Sequence, residues 1–380
     1  MTPRDSATAP IAHALRILVV APTAPHRGGI AQFSSMLGNT LTNDHCVTFW
    51  AIDPLYPALL FPGNTAADPS IHPVTCTIDA RLHGWNPYAW YRIWRTTPAH
   101  HYDVLIWQWW TPYWIPFLLM LLLQARLRGI PSIALNHQLV EPDAAAWQAV
   151  FARWMLALAD AVIDFGTSSR VHRRQSTIAL PIHGALLRRA NPGLCIREDL
   201  GIPENATVVL CFGFVRPYKG IDIIVTALQQ TPVSVHLLIV GEWWQHDRAL
   251  HLLCDHEAVR RRVHIVDRYV PNEAVGSYFA AATVVAMAYR SGTVSGVATL
   301  AAAAGVPLLV SAIGALAGLA AVRDVVHPNT PDAWATALTR LCNEPGAPVA
   351  PVPVQPSWQA LQRAIEEHAA AISRTHTKAP

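Results

Sequence analysis

The sequence is short of charge. Only 14% of it is Asp, Glu, Lys or Arg, where about 25% is usual. The net charge of +3 is too small to mark a polyanion binder, so nucleic acid is not an expected partner. Paired cysteines are missing too. The 6 cysteines are scattered and form no C-x-x-C, which argues against a disulfide framework or a zinc site and fits a reducing cytoplasm. Long apolar runs are absent. Ile17 to Ala21 is too short for a signal-peptide core. Trp107 to Leu123 is interrupted by Gln108, Pro112 and Pro116, and its most apolar part, Ile115 to Leu123, falls well short of the roughly 20 residues of a membrane span. No D-x-D motif offers carboxylates to a metal ion.

What is present is hydrophobicity. At 52% the chain can fill more than one core, and 380 residues make two domains the natural expectation. Continuous β-branched runs predict parallel strands at Arg16–Ala21, Val47–Ile52, Val104–Trp107, Ser132–Asn136 and Ala161–Phe165. Helical patterns intervene at Ala31–Leu41, Ile115–Arg128 and Ala145–Ala159. Ser176 to Pro203, with Pro181, Gly184, Pro192 and Gly193, reads as an interdomain linker. A second series follows. Its strands are expected at Val208–Phe212, Val235–Val240, Val263–Val266, Thr283–Ala288 and Pro307–Ser311. Its helices are expected at Gly220–Gln229, Arg248–Arg260, Asn272–Ala281, Gly296–Ala304 and Asp332–Leu341. The expected organisation is an irregular tail (1–15), a first Rossmann-like domain (16–190), a second (191–344), and a Pro-rich connector with a serine-capped helix packing back on the first domain (345–380).

Phe212-Gly213-Phe214-Val215-Arg216-Pro217-Tyr218-Lys219-Gly220 carries the clearest chemistry. A strand, a glycine turn, a guanidinium, an ammonium and a helix start together suit a diphosphate. Cations at a helix start oppose the helix dipole, so an anionic ligand explains Arg216 and Lys219 better than exposure alone. Gly28 and Gly29 follow the first strand and open a helix, where a bare turn or close approach to a ligand both fit. In open α/β sheets ligands lie beyond the carboxyl ends of the strands, so the two glycine loops are expected to face each other across a cleft.

These residues resemble the family 4 glycosyltransferases of GT-B fold, an α/β architecture of two doubly wound Rossmann-like domains around a central cleft. Phe212–Gly220 resembles their donor-diphosphate motif, Gly28-Gly29-Ile30 their first glycine loop, and Asn136-His137 their strand-end histidine. Val240-Gly241-Glu242, Asp267-Arg268-Tyr269-Val270-Pro271, Tyr289 to Val297 and Gly305-Val306-Pro307 match further landmarks in order. The resemblance implies retaining, metal-independent transfer, hexosyltransferase in type, from a nucleotide-diphosphate sugar to a glycan or lipid-linked acceptor, with no other cofactor. It implies catalytic roles for Arg216, Lys219 and His137. It places Gly28, Gly29, Gly213, Glu242, Arg268, Tyr269, Val270, Thr293, Ser295, Gly296 and Val297 at the donor.

One departure matters. The two glutamates usual in the later loop fall at Gly292 and Leu300, neither of which can hydrogen-bond through its side chain. That keeps open a non-catalytic sugar-nucleotide-binding subunit, beside the nearest enzymatic alternative, a GT-B nucleotide-sugar hydrolase or epimerase. Without the resemblance, His137 reads as a hydrogen-bonded core residue, and Glu242 and Arg268–Val270 read as plain loop. Half of the 14 tryptophans lie between Trp85 and Trp114, with Arg92, Arg95, Arg126 and Arg128 near them. Core packing explains them. So does a boundary with an anionic membrane surface, which would make the protein cytoplasmic and peripheral to the inner membrane face.

Overall fold

The computed structural model describes residues 14–53, 67–71, 73–83, 86–97, 101–139, 146–166, 170–181, 187, 195–243, 247–292, 295–313, 316–317, 322–343 and 357–376. The Pro-rich connector, most of the tail, Trp85, His183, Thr293 and Val294 lie outside them.

The first sheet contains β1 (Arg16–Ala21), β2 (Cys46–Asp53), β3 (Ala80–His83), β4 (Val104–Trp109), β5 (Ser132–Asn136), β6 (Ala161–Asp164) and β7 (Gln175–Thr177). Their spatial order is β3-β2-β1-β4-β5-β6-β7. The second contains β8 (Thr207–Phe212), β9 (Val235–Val240), β10 (Val263–Val266), β11 (Val284–Met287), β12 (Leu308–Ser311) and β13 (Val322–Val326). Their order, β10-β9-β8-β11-β12-β13, repeats that of the first six strands, β3-β2-β1-β4-β5-β6, and β7 has no counterpart. Every pairing is parallel. Strand order therefore reverses between β1 and β4, and again between β8 and β11, and each reversal opens a crevice at the carboxyl ends.

Parallel sheets must be covered on both faces, and alternate residues of each strand show how. Helices α1 (Gly29–Leu41), α2 (Pro87–Thr96), α3 (Ile115–Leu127) and α4 (Ala146–Ala157) belong to the first domain. Ile17, Val19, Ile106 and Ile133 pack with Phe33 and Leu37 of α1. Leu18, Val20, Leu105 and Trp107 point the other way, into a core with Trp90 and Trp94 of α2, Phe117 and Leu121 of α3, and Met155 of α4. The second sheet is covered by α5 (Ile196–Asp199), α6 (Ile221–Leu228), α7 (Arg248–Cys254), α8 (Asn272–Ala281), α9 (Gly296–Ala304) and α10 (Pro331–Asn343). Val209, Leu237 and Val284 meet α6, α7 and α10; Val208, Leu238 and Val285 meet α5, α8 and α9. The last helix, α11 (Trp358–His376), lays Leu361, Ile365 and Ile372 against the first sheet. Ser357 Oγ accepts the Ala360 amide at its start (3.1 Å), and Glu366 accepts from His45 Nε2 (3.0 Å).

The expected α/β fold of two doubly wound sheets is the one observed. The segments not anticipated are β3, α2, β7, α5 and β13. β3, β7 and β13 are sheet edges, where one side faces solvent and residues such as Arg81, Gln175 and Asp324 break the apolar run. β7 and α5 lie in the stretch expected to be irregular linker. Helix α7 stops at Cys254, six residues before the expected end, where Asp255 and His256 begin a series of turns. In the tryptophan segment, core packing, one of the two expected readings, is the one observed. Trp90, Trp94, Trp107, Trp109, Trp110 and Trp114 are all buried, so they build the core and not a boundary.

Candidate functional site

Three loops at the carboxyl edge of the second sheet are held together by glycines. Gly220, at φ +64°, ends the 3-10 turn Pro217–Lys219 and starts α6. A Cβ there would lie 2.0 Å from the Ala288 carbonyl oxygen, so the loops after β8 and β11 touch backbone to backbone. Gly241, at φ +147°, presses on Gly213 the same way, with a notional Cβ 2.4 Å from the Gly213 oxygen. Arg290 locks the arrangement. It donates to both carboxylate oxygens of Asp222 (2.9 and 2.5 Å) and to the Pro217 carbonyl (2.7 Å). Asn329 Nδ2 donates to the Ala288 and Tyr289 carbonyls (3.1 Å each), and Ser311 Oγ to that of Tyr289 (2.7 Å).

Lys219 sits in this frame. Its ammonium is buried and donates to the Phe212 carbonyl at 3.1 Å. Burial pulls its pKa down to about 7, with Cys211 opposing that and Arg216 adding to it. A side chain on Gly213 would stand 3.1 Å from Lys219 Nζ and 3.6 Å from Val297 Cγ2, so the glycine leaves room between the lysine and the start of α9. That helix begins without a side-chain cap, although Ser295 Oγ lies 3.4 Å from the Tyr289 hydroxyl. Among the described residues, a Cβ on Gly296 would meet nothing within 4 Å. Arg216 is half-buried, its guanidinium 5.3 Å from the Tyr218 ring centre. A buried ammonium, a guanidinium and an open helix N-terminus on one edge would together form a cradle for an anion.

The first domain closes on this edge through the loop after β1. Arg27, immediately before Gly28, makes a buried two-point ion pair with Glu242, closed by Nη1 on Oε2 and by Nη2 on Oε1 at 2.8 Å. Its guanidinium also lies 5.2 Å from the Tyr269 ring and 5.7 Å from that of Phe214. The Gly28 amide donates to the Tyr269 hydroxyl (3.1 Å), and Gln32 Nε2 reaches Asn272 Oδ1 (2.7 Å). The Asn272 amide donates to Ser70 Oγ (2.9 Å).

Residues 206–344 match the family described as "Glycosyl transferases group 1". Over its second domain, the chain is thus similar to the group 1 glycosyltransferases. It is 32% identical over 158 residues to a D-inositol 3-phosphate glycosyltransferase of Xylanimonas cellulosilytica, covering 40% of this chain and 37% of that protein. The counterpart in Mycobacterium avium is 31% identical over 193 residues, covering 48% and 42%. The chain thus spans about two-fifths of the length of these curated relatives. In structure it is similar to Anabaena HepE in complex with UDP and glucose (TM-score 0.66, 17% identity, 96% of this chain and 100% of that one). It is also similar to the catalytic domain of Arabidopsis thaliana starch synthase IV bound to ADP and acarbose (0.66, 12%, 94% and 99%). The fold is GT-B.

Within this GT-B chain, the structure brings Gly213 and Lys219 against Val297 of α9, whose start holds Ser295 and Gly296, and the Arg216 charge acts on Lys219. The other expected site residues lie differently. Glu242 is buried against Arg27, so its carboxylate is engaged across the domains. Tyr269 packs on Gly28 rather than lining an open pocket. The Val270 side chain enters the second-domain core, leaving only its backbone for a ligand, while Arg268 is exposed. Gly28 has φ +104° and requires glycine; Gly29 does not. Thr293 lies outside the described residues. His137 is held inside the first domain. Its ring packs on Phe33 (4.7 Å) and Phe165 (5.1 Å), and Nε2 donates to Gln108 Oε1 (3.1 Å). Burial drives its pKa down to about 3, so the imidazole is neutral.

The two glutamate positions also resolve. Gly292 has φ +131°, a conformation unfavourable to any L side chain, so the backbone itself departs from one built for glutamate there. Leu300 packs against the second core. Sequence reasoning passed over Arg27, Arg290 and Asn329. Arg27 had a visible signal, a cation beside a glycine turn, but its partner stands 215 residues away.

Proposed function

We propose that this protein transfers a sugar from a nucleotide-diphosphate sugar to a glycan or lipid-linked acceptor, with retention of configuration and without a metal ion. The observation that carries this reading is Lys219, buried beneath Gly213 and beside the open start of α9. As the bond from sugar to phosphate breaks, negative charge grows on the outer phosphate. Lys219, Arg216 and the first amides of α9 would stabilise it, the task a divalent cation performs elsewhere. Burying an ammonium is costly, and a diphosphate offsets that cost by raising the lysine pKa again. His137, being neutral, would act as a hydrogen-bonding wall of the acceptor side rather than as a charged catalyst. The Arg27–Glu242 pair and the Gly28–Tyr269 contact would hold the cleft shut around the donor and limit hydrolysis by water. We read the protein as cytoplasmic and peripheral to a membrane that bears the acceptor.

A second reading, a donor-binding subunit that does not turn over, draws its support from Gly292 and Leu300. One experiment separates the two. A thermal-shift screen over UDP-, GDP- and ADP-sugars identifies the donor, since a ligand of the folded state raises apparent stability. Release of the nucleoside diphosphate is then followed with and without glycan acceptors. Release that depends on acceptor supports transfer. Release without acceptor means hydrolysis, and binding without release means a subunit.

A further inference from the structure

Helix α4 is apolar on two sides. Ala152, Met155 and Leu156 face inward and are buried. The opposite side carries Trp147, Val150, Phe151 and Trp154, spaced i, i+3, i+4, i+7, which is one continuous stripe on a helix. These side chains are 54%, 66%, 45% and 47% exposed. Trp147 and Phe151 pack edge to face at 5.7 Å, so the stripe is formed and not splayed. Within the described residues the stripe stays about half exposed, too open for an ordinary core position.

The neighbours extend the surface. Helices α2, α3 and α4 share one core on the same face of the first sheet, so their outward sides look the same way. Tyr88 and Tyr91 of α2 and Leu123 and Leu127 of α3 are exposed on that layer. None of the three helices contains Asp or Glu. They do carry Arg92, Arg95, Arg126 and Arg153, all exposed. Arg128, expected to meet head groups, is instead used internally, donating to the Trp94 carbonyl (2.8 Å) and to Gln124 Oε1 (2.7 Å).

We propose that the outer face of α2, α3 and α4 seats the protein on an anionic lipid surface, with the Trp147–Trp154 stripe buried at the headgroup boundary. The chemistry that recognises such a surface is this combination: aromatic rings with polar edges, aliphatic side chains between them, and arginines on helices that carry no acidic side chain. The charge pattern also decides against a second copy of the chain, since self-pairing of this face sets arginine against arginine with no carboxylate on the helices to meet it. No helix among the described residues is long and apolar enough to cross a membrane, so this is a face that lies on the bilayer. Because α4 is the crossover after β5, its first turn, with Trp147, lies at the carboxyl edge of the sheet. That is the edge where the two domains meet, so a lipid-borne molecule would arrive beside the cleft.

The test is flotation of the full chain with vesicles of phosphatidylcholine alone and of phosphatidylcholine mixed with phosphatidylglycerol. The wild type is expected to float with the anionic vesicles and to be released by salt. Trp147→Ser/Phe151→Ser/Trp154→Ser is expected to lower vesicle binding by about tenfold or more. Arg92→Gln/Arg126→Gln/Arg153→Gln is expected to lower it and flatten the salt dependence. Unchanged thermal midpoints show that both variants fold. Failure of the wild type to float, equal binding to both vesicle types, or full binding by the aromatic variant would each overturn the proposal. So would a lipid-free dimer that the aromatic variant converts to monomer, which would make the face a self-association surface. None of these outcomes depends on donor binding.

Discussion

The two domains share one strand order and use it in opposite ways. In the second, the loops after β8, β9 and β11 are fused by contacts so close that Gly220 and Gly241 have no space for a methyl group. Arg290, Ser311 and Asn329 then tie down the carbonyls that remain. The proposed anion cradle is therefore held by contacts within one domain. In the first domain the equivalent loop after β1 gains its structure by reaching across: Arg27 finds Glu242, and Gly28 finds Tyr269. One side of the cleft is preorganised, and the other depends on closure. That division suits a protein that must hold one substrate firmly and release a product.

The sharpest way to break this comparison is to put a methyl group into the cradle. Gly220→Ala forces a non-glycine residue to φ +64° with its Cβ 2.0 Å from the Ala288 oxygen. We expect a loss of about 3–5 kcal/mol, read as a drop in the thermal midpoint, since backbone and not a flexible side chain must yield. Gly29→Ala in the other domain, where nothing lies within 4 Å, should cost little. Equal effects at the two positions would remove the distinction between a built and an adaptable loop.

Next in size is the loss of the cations. Arg216→Ala and Lys219→Ala should each lower donor turnover on the order of 10²-fold, about 2.7 kcal/mol of stabilisation of the developing charge. The folded state should respond differently. Removing a buried ammonium relieves a desolvation cost, so Lys219→Met is expected to leave the ligand-free protein as stable as the wild type or more so. A Lys219 variant that unfolds would show the lysine to be structural.

How far the sequence could lead follows the same line. Strands buried on both faces, such as Ser132–Asn136 and Val235–Val240, stood out because an unbroken apolar run needs no partner to be recognised. The cradle from Phe212 to Gly220 was legible for a related reason: strand, glycine, cations and helix start are consecutive in the chain. The closure contacts were not, since Arg27 and Glu242 stand 215 residues apart and nothing local pairs them. Nor could composition distinguish inward from outward. The dense tryptophans of α2 and β4 are core, whereas Trp147 and Trp154, two rings on one turn-spaced stripe, are the exposed ones. Only the direction of each Cβ, set by the packing of α4 on the sheet, separates these cases.

The closure contact is tested by a double-mutant cycle on Arg27→Ala and Glu242→Ala. Two-point ion pairs that are buried on both sides couple by about 2 kcal/mol, and thermal unfolding of the four proteins measures it. Each single change leaves a lone charge at the interface, so it should also open the cleft and raise the radius of gyration seen by small-angle scattering. A coupling near zero with unchanged dimensions would mean that closure rests on Tyr269 and Asn272 instead.

The smallest effect is a dependence on pH, and it bears on the cradle alone. Lys219 has its pKa drawn down from 10.5 to about 7 by burial. Being depressed in the fold, it destabilises the ligand-free protein fully below pH 7, and that cost fades as pH rises towards the unfolded value of 10.5. Ligand binding has the opposite sign. A diphosphate beside the ammonium raises its pKa, so affinity for a nucleotide-diphosphate sugar is full below pH 7 and falls above it, by at most about tenfold per pH unit. The diphosphate of such a donor has no proton of its own to lose in this range, so the slope belongs to the protein. Isothermal titration calorimetry between pH 7 and 9, in buffers of differing ionisation enthalpy, should find up to one proton taken up per donor bound. Lys219→Met should abolish the uptake, and Arg216→Ala should keep it. A flat profile in the wild type would place the diphosphate away from Lys219 and leave the start of α9 as the remaining anchor.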